Sequence, residues 1–139
     1  MRKSLLTLTL FAITAVPAAF SQTPAPLPCD GAVTRVRVST IKPGMMPQFE
    51  KAVAANLAWY RGKGITTNNI VLAKVIDRDA ATKSYKFSES EAMTYHFNPP
   101  QATSSSPEPD DAYKAFVQMY NDSSTIKAEY TVCMPKSAM

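Results

Sequence analysis

Most of the residues from which enzyme sites are built are scarce in this sequence. One histidine, one tryptophan, two cysteines and four glycines occur among its 139 residues. No Gly-rich phosphate loop and no G-x-S-x-G nucleophile motif is present. One histidine and two cysteines do not supply the ligands of a zinc site, so we expect no metal and no cofactor. These absences exclude the enzyme classes that such motifs mark, but not a site assembled from distant residues.

Long apolar runs are also missing, except at the start of the chain. The apolar run Leu5–Val16 follows the basic Met1–Lys3, and Ala19–Ser21 has small residues where a signal peptidase reads them. Residues 1–21 are therefore predicted to be a signal peptide, cleaved after Ser21, of a secreted or periplasmic protein. An uncleaved anchor is the alternative. No later segment predicts a membrane span, so we expect no membrane association after cleavage.

An excess of one charge is lacking as well. The formal charge of +4 falls to about +2 when Arg2 and Lys3 leave with the signal peptide. That excess is too small to predict nucleic-acid binding. The remaining length suits one domain with one core, which we place at residues 32–134. A Pro-rich tail, 22–31, precedes this domain, and a short tail, 135–139, follows it.

The two cysteines, Cys29 and Cys133, lie near the two ends of that domain. In an exported chain, two cysteines most simply form one disulfide. Free or intermolecular thiols are the alternative. A loop of roughly 100 residues sets a chain-entropy ceiling near 4.7 kcal/mol on the stabilisation, with usual gains of about 2–4 kcal/mol.

Hydrophobic periodicity predicts six elements within the domain. Alternation predicts strands at Val33–Thr40, Ala92–Phe97 and Ile126–Val132, the second with a short or bulged start at Tyr85–Phe87. The apolar run Ile70–Ile76 predicts a further strand, buried on both faces. Apolar residues three and four apart predict two helices. Their stripes are Met46, Phe49, Val53, Leu57 and Tyr60, and Ala112, Tyr113, Phe116, Val117 and Tyr120.

The order of these elements is strand, helix, strand, strand, helix, strand. It predicts an α+β, ferredoxin-like βαββαβ fold with a four-stranded antiparallel sheet and two helices on one face. Right-handed crossovers place the first and last strands side by side and antiparallel, which brings the cysteines together. If the cysteines pair in register, Val36 faces Ile126 and Thr34 faces Ala128. Ile126, Ala128, Tyr130 and Val132 are then expected on one face of the last strand.

The segment IKPGMMPQFEKAVAAN, Ile41–Asn56, in this strand order resembles the dimeric α/β-barrel superfamily. That superfamily includes antibiotic-biosynthesis-type monooxygenases, EthD-like proteins and NIPSNAP-like proteins. The resemblance covers about Val33–Val132. It implies a homodimer packed through the sheet face, and a pocket between each sheet and its own helices. Haem-handling relatives use a helix histidine as iron ligand, and no helix histidine is expected here.

The resemblance also suggests catalytic residues. Cofactor-free monooxygenases of this superfamily use an Asn and a Trp to hold a phenolic substrate and an oxyanion, which makes Asn56 and Trp59 candidates. His96, the single histidine, is a candidate general base or ligand, with a surface or hydrogen-bonded histidine as the alternative. Tyrosines are candidates for lining the same pocket, although half-buried tyrosines are ordinary on sheets. The candidate tyrosines are Tyr85, Tyr95 and Tyr130.

Arg35 and Arg37 share one face of the first strand, and Glu129 is expected on the neighbouring strand. The arginines can pair with Glu129, bind an anion, line a dimer cavity, or form a solvated face. The sequence leaves open whether the protein is an enzyme. The first hypothesis is an exported, dimeric protein of unassigned activity that binds a small apolar ligand. The alternatives are a cofactor-independent monooxygenase acting on an aromatic or quinol-like substrate, and an interaction module whose cavity is filled by side chains.

Overall fold

Four strands and two helices make up the part of the chain that the computed structural model describes, residues 28–100 and 106–135. The predicted signal peptide, residues 1–21, lies outside the described residues. In chain order the elements are β1 (Ala32–Ile41), α1 (Met46–Gly62), β2 (Asn69–Arg78), β3 (Tyr85–Phe97), α2 (Asp111–Ser123) and β4 (Ser124–Met134).

The strands form one sheet in the order β2-β3-β1-β4, with every neighbouring pair antiparallel. Side chains of both helices lie over the same face of this sheet. The predicted α+β, ferredoxin-like arrangement is therefore confirmed. Neither helix is long and apolar enough to cross a membrane, within the residues described.

Cys29 and Cys133 form a disulfide with a Cα–Cα distance of 5.5 Å, as predicted. The disulfide ties the segment before β1 to the end of β4. A bend at Asp30 and Gly31 brings Cys29 back towards the sheet. A Cβ atom on Gly31 would lie 1.9 Å from the backbone oxygen of Met134, so only glycine permits this close approach.

The predicted register of β1 against β4 is wrong. Thr34 pairs with Val132 and Val36 pairs with Tyr130, four residues further along β4 than expected. The prediction placed the two cysteines opposite each other in the ladder. In the structure Val33 is opposite Cys133, because Cys29 lies before β1 and reaches its partner through the bend.

The prediction that Ile126 shares a face with Ala128 and Tyr130 is also wrong. Ser39 pairs with Ile126, whereas the preceding Val38 pairs with Ala128. The intervening Lys127 is thus an extra residue, which switches the alternation of side chains. Ile126 consequently lies on the helix-covered face, and the later apolar residues of β4 lie on the opposite face.

The strand predicted to be buried on both faces, β2, is an edge strand. Its Val71 is 42% exposed and its Ile76 is 60% exposed. The helices cover only one face of the sheet, so an apolar strand is not enclosed within this single chain. β3 runs without interruption through Ser88–Glu91, and a register shift beside Lys74 and Ile76 accommodates the extra residues.

Along β1, the more polar face of the sheet is the one that the helices cover, and the more apolar face is uncovered. On β1, Val36 pairs with Tyr95 and Tyr130 on the uncovered face, whereas Arg35 and Arg37 lie under the helices. The apolar core that joins helix to sheet is small and lies at one end, around α1. Its buried members are Ile41, Phe49, Val53, Ile70 and Ala92.

Candidate functional site

A cavity of about 590 Å³ lies between the sheet and the two helices, beside that core. Small-molecule sites commonly enclose about 300–1,000 Å³, so the volume suits a small ligand. The cavity exists because the helices rest on the core at one end, while polar side chains of β1 and β3 occupy the sheet surface further along. This open space argues against an interaction module whose interior is filled by side chains.

The floor of the cavity carries two guanidinium groups. Arg37 forms an ion pair with Glu129, and the Nε atom of Arg35 lies 3.9 Å from Oε1 of the same carboxylate. All three side chains are partly exposed, so the ion pairs contribute little stability. The geometry combines two of the sequence hypotheses, because the arginines both pair with Glu129 and line a cavity. One carboxylate is shared by two cations.

The helices contribute aromatic side chains to the roof. Phe49 and Tyr120 make an edge contact with ring centroids 5.6 Å apart, and Phe116 lies 6.3 Å from Tyr120. Burial raises the pKa of Tyr60 and of Tyr120, so both hydroxyls are neutral at pH 7. A neutral hydroxyl can both donate and accept a hydrogen bond. The roof therefore offers aromatic faces together with polar groups.

Asn56, on α1, lines the cavity together with Tyr120 of α2. Burial raises the pKa of Tyr120, and the side chain of Asn56 lowers it and so opposes part of the effect of burial. An amide has two donors and an acceptor. Asn56 can therefore donate to or accept from a ligand in the cavity.

His96, on β3, has a defined tautomer. Nη1 of Arg61 donates to Oδ1 of the buried Asn68 at 2.7 Å, and Nδ2 of Asn68 lies 3.1 Å from Nε2 of His96. Arginine is a donor only, so the amide oxygen of Asn68 must face it and the amide nitrogen must face the histidine. Nε2 of His96 is therefore the acceptor, and the proton is on Nδ1.

Burial, together with the positive charges of Arg35 and Arg37, lowers the pKa of His96 from 6.5 to about 4. A second proton on Nε2 would also meet the donor of Asn68. His96 is thus a neutral hydrogen-bond donor at pH 7. A general base needs a free lone pair, and the lone pair of His96 is already engaged, so this arrangement suits binding better than proton abstraction.

The structure brings together four of the predicted site residues in the cavity: Arg35, Arg37, Asn56 and His96. The other four candidates do not belong to its described lining. Tyr95 and Tyr130 flank Val36 on the uncovered face of the sheet, and Tyr85 is 68% exposed at the start of β3.

Trp59 lies between the two helices. Its Nε1 atom donates to Oδ1 of Asp110 at 2.9 Å, and its ring contacts Tyr113. Asp110 also caps α2 by accepting from the backbone nitrogen of Tyr113. The hydrogen bond from Lys63, with the backbone bond from Tyr113, lowers the pKa of Asp110 to about 2. Trp59 therefore has a packing role in linking α1 to α2.

Sequence reasoning missed three tyrosines that line the cavity: Tyr60, Tyr113 and Tyr120. They were assigned to the packing stripes of the helices, where their spacing is that of core residues. A signal did exist, because a tyrosine on a buried stripe needs a partner or water for its hydroxyl. Asn68 was also missed, since a polar residue in a turn gives no sign that it will be buried.

No protein-family model, no curated protein and no solved structure matches this chain. Within residues 28–100 and 106–135, no three His, Cys, Asp or Glu side chains are placed to hold a metal ion. The site must therefore be interpreted from its own side chains and their geometry.

Proposed function

We propose that this chain is a small-molecule-binding protein whose ligand occupies the cavity between the sheet and the helices. The observation that carries the proposal is the cavity of about 590 Å³ beneath a roof of aromatic side chains. A flat apolar ligand beneath this roof would bury its apolar surface and contact the aromatic rings. The sequence alone suggested a small apolar ligand, and the aromatic roof makes the proposal more specific: a small ligand that contains an aromatic ring.

The protein is further proposed to be exported and to act as a homodimer. The disulfide is compatible with an oxidising compartment, and the N-terminal residues have the pattern of a signal peptide. The uncovered sheet face is apolar, with Tyr130 57% exposed and Val132 37% exposed. A second copy would bring an identical apolar surface against it in a two-fold arrangement. This is the sheet-to-sheet packing that resemblance to the dimeric α/β-barrel superfamily implies.

Catalysis is not part of this proposal. Of the pair that the resemblance suggested for a monooxygenase, Asn56 lines the cavity but Trp59 lies outside its described lining. The lone pair of His96 is engaged by Asn68. Cofactor-independent oxygenation of an aromatic or quinol-like substrate stays a prediction from the sequence. Ligand binding requires only the cavity, whereas oxygenation also requires catalytic residues placed within it.

Blocking the cavity tests the binding proposal. Val117, on α2, lines the cavity, and Val117→Trp would fill much of the space that a ligand needs. The neighbouring Gln118 is exposed, so Gln118→Trp introduces the same side chain outside the cavity. We expect a panel of small aromatic compounds, measured by calorimetry, to bind the native protein and the control, and to bind Val117→Trp at least about tenfold more weakly.

Absence of binding by the native protein across the panel would contradict the proposal. Equal weakening by both substitutions would place the bound compounds elsewhere. Circular dichroism and thermal unfolding of both variants establish that each has folded before binding is compared.

A further inference from the structure

We propose that the ligand is a monoanion, a small aromatic acid whose carboxylate or phenolate binds the guanidinium groups of Arg35 and Arg37. This inference rests on the proposed function, because it concerns the same cavity. It goes further by specifying the charge of the ligand and the residues that select for that charge.

The charge balance of the cavity supports an anion. No Asp or Glu side chain belongs to its described lining, which contains Arg35 and Arg37. Glu129 approaches both arginines from β4 and neutralises only one of them. Arg35, Arg37 and Glu129 together carry one net positive charge, which a ligand with one negative charge would neutralise.

The hydrogen-bonding capacity of the arginines supports the same conclusion. Each guanidinium has five N–H donors in a planar fork that suits a carboxylate. Among the described residues, Arg37 uses Nε on Glu129, and the approach of Arg35 to that carboxylate, at 3.9 Å, is too long for a hydrogen bond. Most donors of the two forks are therefore available to a ligand.

The remaining lining explains why an aromatic acid fits better than an inorganic anion. Phe49, Phe116 and Tyr120 form a continuous set of ring contacts over the floor. Inorganic phosphate or sulfate would leave these rings without a partner. His96 and Asn56 on the cavity wall supply neutral hydrogen-bonding groups that do not compete for the charge. A flat ring with one acidic group meets both kinds of surface.

A matched pair of ligands separates the effect of charge from the effect of shape. 2-Naphthoate and 2-naphthamide have nearly the same shape, but only the acid carries a negative charge at pH 7. Hydrogen bonds to a charged group correspond to roughly a tenfold or greater change in affinity, so we expect calorimetry to show at least about tenfold tighter binding of the acid. We expect this preference to shrink as salt is added.

Variants of the protein locate the effect. Arg35→Gln should weaken binding of the acid about tenfold or more and change binding of the amide less than about twofold. Lys51→Gln is the control, because it removes one positive charge from an exposed position of α1 outside the cavity lining. This control should leave the affinity for both compounds within about twofold of the native value.

Two outcomes would overturn the inference while leaving the proposed function intact. One is equal binding of acid and amide, and the other is a preference for the acid that Arg35→Gln and Arg37→Gln both retain. Failure of both compounds to bind, together with no binding in the wider aromatic panel, would overturn the proposed function itself. A preference for the acid that disappears in either arginine variant supports the inference.

Discussion

The fold places His96 in an environment that differs from the one it has in the unfolded chain. The fold holds its imidazole in the neutral form, with Nε2 accepting from Asn68, and lowers its pKa from 6.5 to about 4. In the unfolded chain the same side chain gains a proton as the pH falls below about 6.5. The unfolded state therefore binds more protons than the folded state between these two values.

From this difference we predict that the free energy of unfolding falls as the pH is lowered from 7 towards 4. A shift of this size has a ceiling near 3.4 kcal/mol, and solvent screening of the partly exposed ring reduces the expected loss to about 1–2 kcal/mol. Urea unfolding of the native protein and of His96→Gln at pH 7 and pH 4.5 measures it. The variant lacks the titrating group, so its stability should change less with pH.

An equal loss in both proteins would show that other groups cause the pH dependence. Asp110 is not expected to confuse the comparison, because its pKa of about 2 places its titration below this range. At the residue scale, the sequence made His96 a candidate and the structure places it in the cavity lining, but its neutral state was not predictable. That state depends on Arg35, Arg37 and Asn68, which lie far from it in the sequence.

At the scale of elements, the pairing of β1 with β4 is held by a backbone ladder and by the disulfide that joins Cys133, near the end of β4, to Cys29 before β1. Cys29 and Cys133 are separated by 104 residues, so reduction releases a long loop in the unfolded chain. We predict that the double variant Cys29→Ser, Cys133→Ser loses about 2–4 kcal/mol of unfolding free energy. Denaturant titration against the oxidised native protein measures the loss.

Intact mass before and after reduction verifies that the native comparison protein carries the disulfide. A loss well under 1 kcal/mol would mean that the ladder alone keeps the two strands together. The single variants are less informative, since each leaves one free thiol that can form intermolecular bonds.

The elements themselves were largely predictable because their patterns are local. The alternation in β1 depends on residues two positions apart, and the helical stripe that begins at Met46 depends on residues three and four positions apart. The register of β1 with β4 was not predictable, because the bend at Gly31 and the extra residue Lys127 each alter the alignment without a clear sequence signal. One residue of shift is enough to reverse which side chains face the helices.

At the scale of the whole molecule, the uncovered sheet face is the surface on which the proposed dimer depends. Val36, Tyr95 and Tyr130 lie together there, and no helix of the described chain covers them. Tyr130 and Val132 are the more exposed residues of this face, and exposed apolar patches commonly mark protein interfaces. The proposed second copy would enclose them between two sheets.

We predict a dimer for the native protein and a monomer for Tyr130→Glu, measured by light scattering after gel filtration. A carboxylate at this position would be buried without a partner in the dimer, which costs several kcal/mol. Thr131→Glu is the matched control, because the next residue of β4 points to the opposite face of the sheet. A native protein that is monomeric at all concentrations, or a control that dissociates equally, would contradict the sheet-to-sheet arrangement.

The sequence by itself determined the order of elements, the α+β class, and the proximity of Cys29 and Cys133. These depend on short-range periodicity, turn residues and the handedness of crossovers, which act between neighbours in the chain. Only the tertiary structure decided that the arginine face of β1 lies beneath the helices and the valine face remains uncovered. Helices can pack on either face of an alternating strand, and register and packing determine which face they cover. Here they cover the arginine face of β1, and this arrangement forms the cationic cavity.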